Sequence, residues 1–76
     1  MMNKLDLGGG GEAKLRYLDA DFEVQRSGDF VRCAVTGEVI PLRDLRYWSV
    51  GLQQAYVNAA AANKARDEAK ANGETF

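Results

Sequence analysis

From Lys14 onward, apolar and polar side chains alternate with a period of two. In KLRYLD, Leu15 and Tyr17 share one face and Lys14 and Arg16 the other. In DFEVQR, Phe22 and Val24 oppose Glu23 and Gln25; in FVRCAV, Val31, Cys33 and Val35 oppose Arg32 and Ala34. This alternation marks half-buried strands, because successive side chains of a pleated strand point to opposite faces. Tight turns at Asp19-Ala20, Ser27-Gly28 and Thr36-Gly37 would join them. The first pairs Tyr17 with Phe22, Leu15 with Val24 and Arg16 with Glu23. The second pairs Arg26 with Asp29, Val24 with Val31 and Glu23 with Arg32. The third pairs Val35 with Glu38 and Cys33 with Ile40. A slip of one residue would turn a whole face over, so three turns that agree on one apolar face predict a continuous antiparallel meander. Glu23 would then lie between Arg16 and Arg32 on the polar face. Pro41, lacking an N–H, ends the fourth strand and suits a sheet edge.

After Pro41, Leu42, Leu45 and Trp48 recur every third residue, which predicts a turn of helix or 3₁₀ structure. Ser49 suits an N-cap, and residues 50–71 read as helix. Leu52, Ala55, Tyr56, Ala59 and Ala60 would form its buried stripe. Beyond Ala62, NKARDEAKANG keeps helix propensity but has no large apolar side chain. That half reads as solvated, with Gly73 as its stop and ETF as disordered. The N-terminal MMNKLDLGGGG reads as a flexible tether. The predicted organisation is a tail over 1–12, one domain over 13–62, and a solvated helix end with a disordered terminus over 63–76. The fold class is α+β: a small three- to four-stranded antiparallel β-meander with one C-terminal α-helix, ribbon-like and without metal.

Composition narrows the function more than it defines it. With 76 residues, a single core supplies only a few kcal/mol, and chains of this size often use a disulfide or a metal. One cysteine and no histidine allow neither a disulfide within the chain nor a four-ligand zinc site. Residues 1–11 contain no apolar run, and no stretch matches a membrane span. Together with the lone thiol, this predicts a cytoplasmic protein. Ten basic residues against eleven acidic ones give a net charge of −1, so no strong attraction to nucleic acid or anionic lipid is expected. Gly8, Gly10 and Ala13 fit G-x-G-x-x-A literally, but no strand–loop–helix context surrounds them, and no cofactor is expected. Without a histidine base, with Ser27 and Ser49 suited to a turn and a cap, and with Asp19 and Asp21 in a turn, no catalytic residue is assigned.

Binding is the better class. RDLRYWS supplies Arg43, Arg46, Tyr47 and Trp48, residue types enriched at interface hot spots and at single-stranded nucleic-acid contacts. Trp48, the only tryptophan, reads more readily as a core residue than as a contact. The balanced charge favours an unidentified protein partner over nucleic acid. Phe30 and Leu18, which fall on the polar face, would offer a surface for homo-oligomerisation.

The words GGGGEAKLRYLD, GDFVRCAVTG, IPL and LRYWSV followed by QAY resemble a family of short bacterial proteins known as a domain of unknown function, over about residues 8 to 56. The resemblance implies a single-domain bacterial protein and brings no activity, cofactor or catalytic residue. CAVTGEVIPLRDL is also similar in spacing to the first knuckle of zinc-finger regulators of RNA polymerase of the TraR type. Thr36 stands where the second knuckle cysteine would be, and a second cysteine pair is absent around 47–51. That similarity implies a degenerate ribbon with Trp48 and Tyr56 in place of the ion, and with it the alternative function of weak single-stranded nucleic-acid binding. If the fold needs no metal, a strong chelator leaves its thermal midpoint unchanged. Loss of structure on chelation, or stoichiometric zinc in the purified protein, would show otherwise.

Overall fold

The Asp19-Ala20 turn forms as the alternation requires. In the computed structural model, which describes residues 11–76, β1 (Lys14–Tyr17) pairs antiparallel with β2 (Phe22–Arg26). Its register is Tyr17 to Phe22, Arg16 to Glu23 and Leu15 to Val24. Four further strands follow: β3 (Phe30–Arg32), β4 (Val39–Pro41), β5 (Tyr47–Ser49) and β6 (Gln54–Tyr56). A 3₁₀ turn lies at Leu42–Asp44, and the helix α1 spans Ala59–Ala71. The class is α+β, with antiparallel strands and one C-terminal helix as expected. The strands form three two-stranded sheets, β1–β2, β3–β4 and β5–β6, rather than one meander.

The meander is interrupted at Ser27-Gly28. Residues 11–13 run beside β3: Asp29 N–H donates to the Gly11 carbonyl, Ala13 N–H donates to the Phe30 carbonyl at 2.7 Å, and Glu12 bridges Phe30 in parallel. This segment takes the edge that β2 was expected to occupy. Gly28 permits the approach, since a Cβ there would lie 2.4 Å from the Ala13 nitrogen. Val24 therefore does not meet Val31 and stays exposed, and Glu12 rather than Glu23 stands near Arg32, at 3.9 Å. Of the expected N-terminal tail, residues 1–10 lie outside the described residues. Gly11 and Glu12 are held by these contacts.

The Thr36-Gly37 hairpin forms two residues out of the expected register, with Val31 opposite Ile40 and Arg32 opposite Val39. A shift of two preserves the faces, so Val31, Cys33 and Ile40 are all buried. The wider loop is closed by Cys33 N–H on the Glu38 carbonyl and Gly37 N–H on the Cys33 carbonyl. Gly37 takes the left-handed conformation (φ +78°) that this closure needs.

The largest departure lies in residues 50–58, expected as helix and found as a turn and a strand. Ser49 does begin a helical turn, its hydroxyl accepting the Leu52 N–H at 3.0 Å as an N-cap would. The turn ends at Gln53, which adopts φ +54°. The Gln53 side chain then clamps β1: Oε1 accepts the Tyr17 N–H and Nε2 donates to the Tyr17 carbonyl, both at 2.9 Å. A third bond runs from Nε2 to the Val50 carbonyl. Gly51 is pressed against the backbone of residues 75–76, where a Cβ would meet the Thr75 carbonyl oxygen at 2.4 Å. The helix starts instead at Asn58, whose Oδ1 accepts the Ala61 N–H at 2.8 Å.

Helix α1 is not solvated on all sides. Ala61, Ala65 and Ala69 are buried at the i, i+4 spacing that aligns side chains on one face, and this alanine stripe packs α1 on β5 and β6. The helix stops where expected: Gly73 (φ +72°) places its N–H on the Lys70 carbonyl, and Glu74 N–H reaches the Ala69 carbonyl. These two bonds are a Schellman closure. The terminal ETF, expected as disordered, folds back. The Phe76 ring stacks on Tyr56 with centroids 5.9 Å apart, and its carbonyl accepts bonds from the Ser49 hydroxyl and Gly51 N–H. No helix among the described residues is long and apolar enough to cross a membrane.

The Gln53 clamp gives a paired prediction. Gln53→Ala loses the side-chain bonds but keeps a left-handed backbone, and should cost about 1–3 kcal/mol in urea unfolding. Gln53→Gly loses the same bonds without the backbone penalty and should be roughly 1 kcal/mol more stable than the alanine variant. Equal stabilities for the two variants would show that the backbone at 53 carries no strain.

Candidate functional site

Of the residues singled out in the sequence, β5 and the residue before it gather three on one surface. Arg46, Tyr47 and Trp48 line a groove of about 320 Å³, open to solvent, together with Ala59, Ala62, Asn63 and Arg66 from α1 and with Asp19 and Phe76. Arg43 is not part of it. It lies on the 3₁₀ turn and lines a separate hollow with Asp29, Phe30 and Val39. Its role at the groove is indirect, because its carbonyl accepts a 3.0 Å bond from Arg46 Nη1. A second, longer bond from the same nitrogen reaches the Leu45 carbonyl at 3.4 Å.

Trp48 is both core and lining. Its ring stacks near Tyr17 (centroids 6.1 Å apart) and meets Phe22 edge-on at 5.8 Å. Its Nε1–H donates to the Leu18 carbonyl at 2.7 Å. A buried indole needs such a partner, and the bond fixes the ring as one wall. Tyr47 is different: it is 42% exposed, next to a tryptophan that is tied down. Arg66 reaches across one helical turn to the Asn63 Oδ1 at 3.0 Å. The α1 residues escape a reading of the sequence, because that reading begins the helix nine residues earlier. The signal for them is Asn58 before a run of four alanines, an N-cap that outranks Ser49 once Gln53 has ended the first turn.

The one thiol is outside the groove. Cys33 is 3% exposed and its Sγ accepts the Thr36 N–H at 3.4 Å. Burial pushes the thiol up, but hydrogen bonds from Thr36, Val57 and Val35 outweigh it and hold the thiol below its ordinary range. The knuckle shape of CAVTG is thus kept by a turn whose N–H groups point at sulfur. Among the described residues no cluster of three or more His, Cys, Asp or Glu could hold a metal ion. Tyr17 shifts the other way, raised by burial and then by the nearby Glu12 carboxylate. Phe30 and Leu18, expected on a self-association surface, are half-buried. Phe30 is covered by the Arg32 guanidinium 5.5 Å above its ring, and Leu18 supplies the carbonyl that Trp48 uses.

A bacterial family described as uncharacterized protein conserved in bacteria (DUF2093) matches residues 24–65, and the chain belongs to it. The match runs from within β2 to within α1, and takes in Arg46, Tyr47, Trp48, Ala59, Ala62 and Asn63. No curated protein and no solved structure matches the chain.

Burial of Cys33 predicts its reactivity. A thiol reagent should label the folded protein more than about tenfold more slowly than the urea-unfolded chain, since reaction waits on opening of the structure. Equal rates would place the sulfur at the surface.

Proposed function

We propose that this member of the family is a non-catalytic protein-interaction module of the bacterial cytoplasm, and that it takes its partner in the groove between β5 and α1. The observation that carries this reading is the exposed Tyr47, flanked by Arg46 and by a tryptophan locked in place, facing the methyl groups of Ala59 and Ala62. Aromatic and arginine side chains around a small apolar floor are what interface hot spots are made of: large contact area with few torsions to freeze. Reaction chemistry has less to work with. The groove holds no histidine or cysteine, and the thiol with a lowered titration range is sealed under the Thr36 turn.

Single-stranded nucleic acid is the competing ligand for an exposed tyrosine beside arginines. Two features weigh against it: the net charge is −1, and Arg43 stands apart from the groove. Replacing Arg46 and Tyr47 together by alanine should leave the circular dichroism spectrum unchanged and abolish capture of a specific protein from a host lysate. Submicromolar, salt-sensitive binding to random oligonucleotides, lost in the same double variant, would establish the nucleic-acid reading instead.

A further inference from the structure

The hollow beside Arg43 lies on a face of the molecule that the groove does not use. Phe30 pairs with Pro41 and Arg32 with Val39 across β3 and β4, while their neighbours Val31 and Ile40 are buried. Alternation therefore puts Phe30, Val39 and Pro41 together on the outer face of this sheet. With Asp29, Leu42 and Arg43 they line a hollow of about 380 Å³. Val39 is 48% exposed, and Phe30, Pro41 and Leu42 are half-buried. Among the described residues β4 pairs with β3 alone. The bonds from Cys33 N–H to the Glu38 carbonyl and from Leu42 N–H to the Asp29 carbonyl mark the hydrogen-bonded pairs of the ladder. Such pairs alternate with unbonded ones, so Val39 turns its backbone groups away from β3, to the open side. An apolar face beside an open strand edge is one that proteins cover.

The chain carries a cover of its own next to this hollow. Gly11, where the described residues begin, is bonded at the rim: its carbonyl accepts the N–H of Asp29, one of the lining residues, at 2.8 Å. Ahead of it stand Gly8, Gly9 and Gly10, and ahead of these MMNKLDL, in which Leu5 and Leu7 alternate with Lys4 and Asp6. We propose that residues 1–7 dock on the outer face of β3 and β4, with Leu5 and Leu7 in the hollow against Phe30, Val39, Pro41 and Leu42. Lys4 and Asp6, at the intervening positions, then face water. The reach is sufficient. Residues 11–13 flank β3 on the side away from β4, so two strand spacings, about 10 Å, separate them from β4. Leu7 stands four residues before Gly11 and can lie up to about 14 Å from it. Glycines at the bend leave the backbone free to turn from the edge of the sheet onto its face. A tether this short also holds the leucines at an effective concentration in the millimolar range, so even a weak apolar contact is populated. A second copy of the chain, or a foreign protein, has no such advantage at this face.

The test is NMR of the isotope-labelled full chain. Nuclear Overhauser cross-peaks should join the methyl groups of Leu5 and Leu7 to those of Val39 and to the Phe30 ring. They should persist on dilution and be absent between labelled and unlabelled chains in a mixed sample. Leu5→Ser with Leu7→Ser should shift the amides of residues 29–30 and 39–43 and leave those of residues 46–48 and 59–66 in place. Val39→Ser should move the leucine methyl signals to their random-coil positions. Val24→Ser, at a similarly exposed valine on β2, should not. Absence of the cross-peaks, cross-peaks between different chains, or leucine contacts to the β5–α1 groove instead would each overturn the proposal. So would leucine signals that Val39→Ser leaves unmoved. None of these results touches partner capture through Arg46 and Tyr47, so the docked segment and the interaction module stand or fall separately.

Discussion

A two-stranded ribbon cannot bury its own apolar face, and this fold contains three of them. Strand β6 resolves the difficulty. Ala55 and Tyr56 are neighbours on a strand, so their side chains point to opposite faces, yet both are buried, at 3% and 0% exposure. Something must therefore cover each face of β6. Cys33 bridges Ala55 from the β3 side, with Ala34 N–H on the Ala55 carbonyl at 2.9 Å. Phe76 stacks on Tyr56, and α1 lays its alanines on β5 and β6. The β1–β2 ribbon joins the same hub through Gln53 and Trp48, two side chains whose polar atoms bond the backbone at Tyr17 and Leu18. Each ribbon is stable because it leans on β6 or on its partner β5.

The same architecture explains which parts could be read from the chain. The β1–β2 register was legible from the turn out to Leu15 and Val24, because a tight turn and two alternating strands are decided within about a dozen residues; the irregularity beyond it, which sets Lys14 opposite Arg26, was not. The buried positions of β3 and β4 were legible even though their register moved, since a shift of two residues keeps every side chain on its face. What could not be read was set by distant residues. Whether Gly28 opens a hairpin or admits residues 11–13 depends on a segment earlier in the chain. Whether Ser49 starts a long helix or a single turn depends on Tyr17 offering its backbone to Gln53, 36 residues away. Local propensity pointed to helix for residues 50–58, and tertiary hydrogen bonds overrode it.

The groove shows the same split. Arg46, Tyr47 and Trp48 were legible because their residue types are unusual together in so short a stretch. The helical wall was not, because Asn63 and Arg66 face Tyr47 only once the helix begins at Asn58. Arg43 was misplaced for a related reason: sequence proximity suggested one patch, but the turn at Leu42–Asp44 puts its side chain in another hollow. The glycine at 73 needed no such context, because a left-handed closure after a helix is a local event.

The alanine stripe of α1 has a consequence for the shape of the groove. A helix resting on methyl groups sits as close to its sheet as side chains other than glycine allow, and helix separation tracks the size of the residues between. The gauge of the groove, the gap between Tyr47 on one bank and Asn63 and Arg66 on the other, is therefore set by Ala61, Ala65 and Ala69. These three pack beneath the helix and are absent from the groove lining. A valine at one of them would lift the helix and widen the groove with every side chain of its lining unchanged. The shape of this surface can thus be altered from the interior.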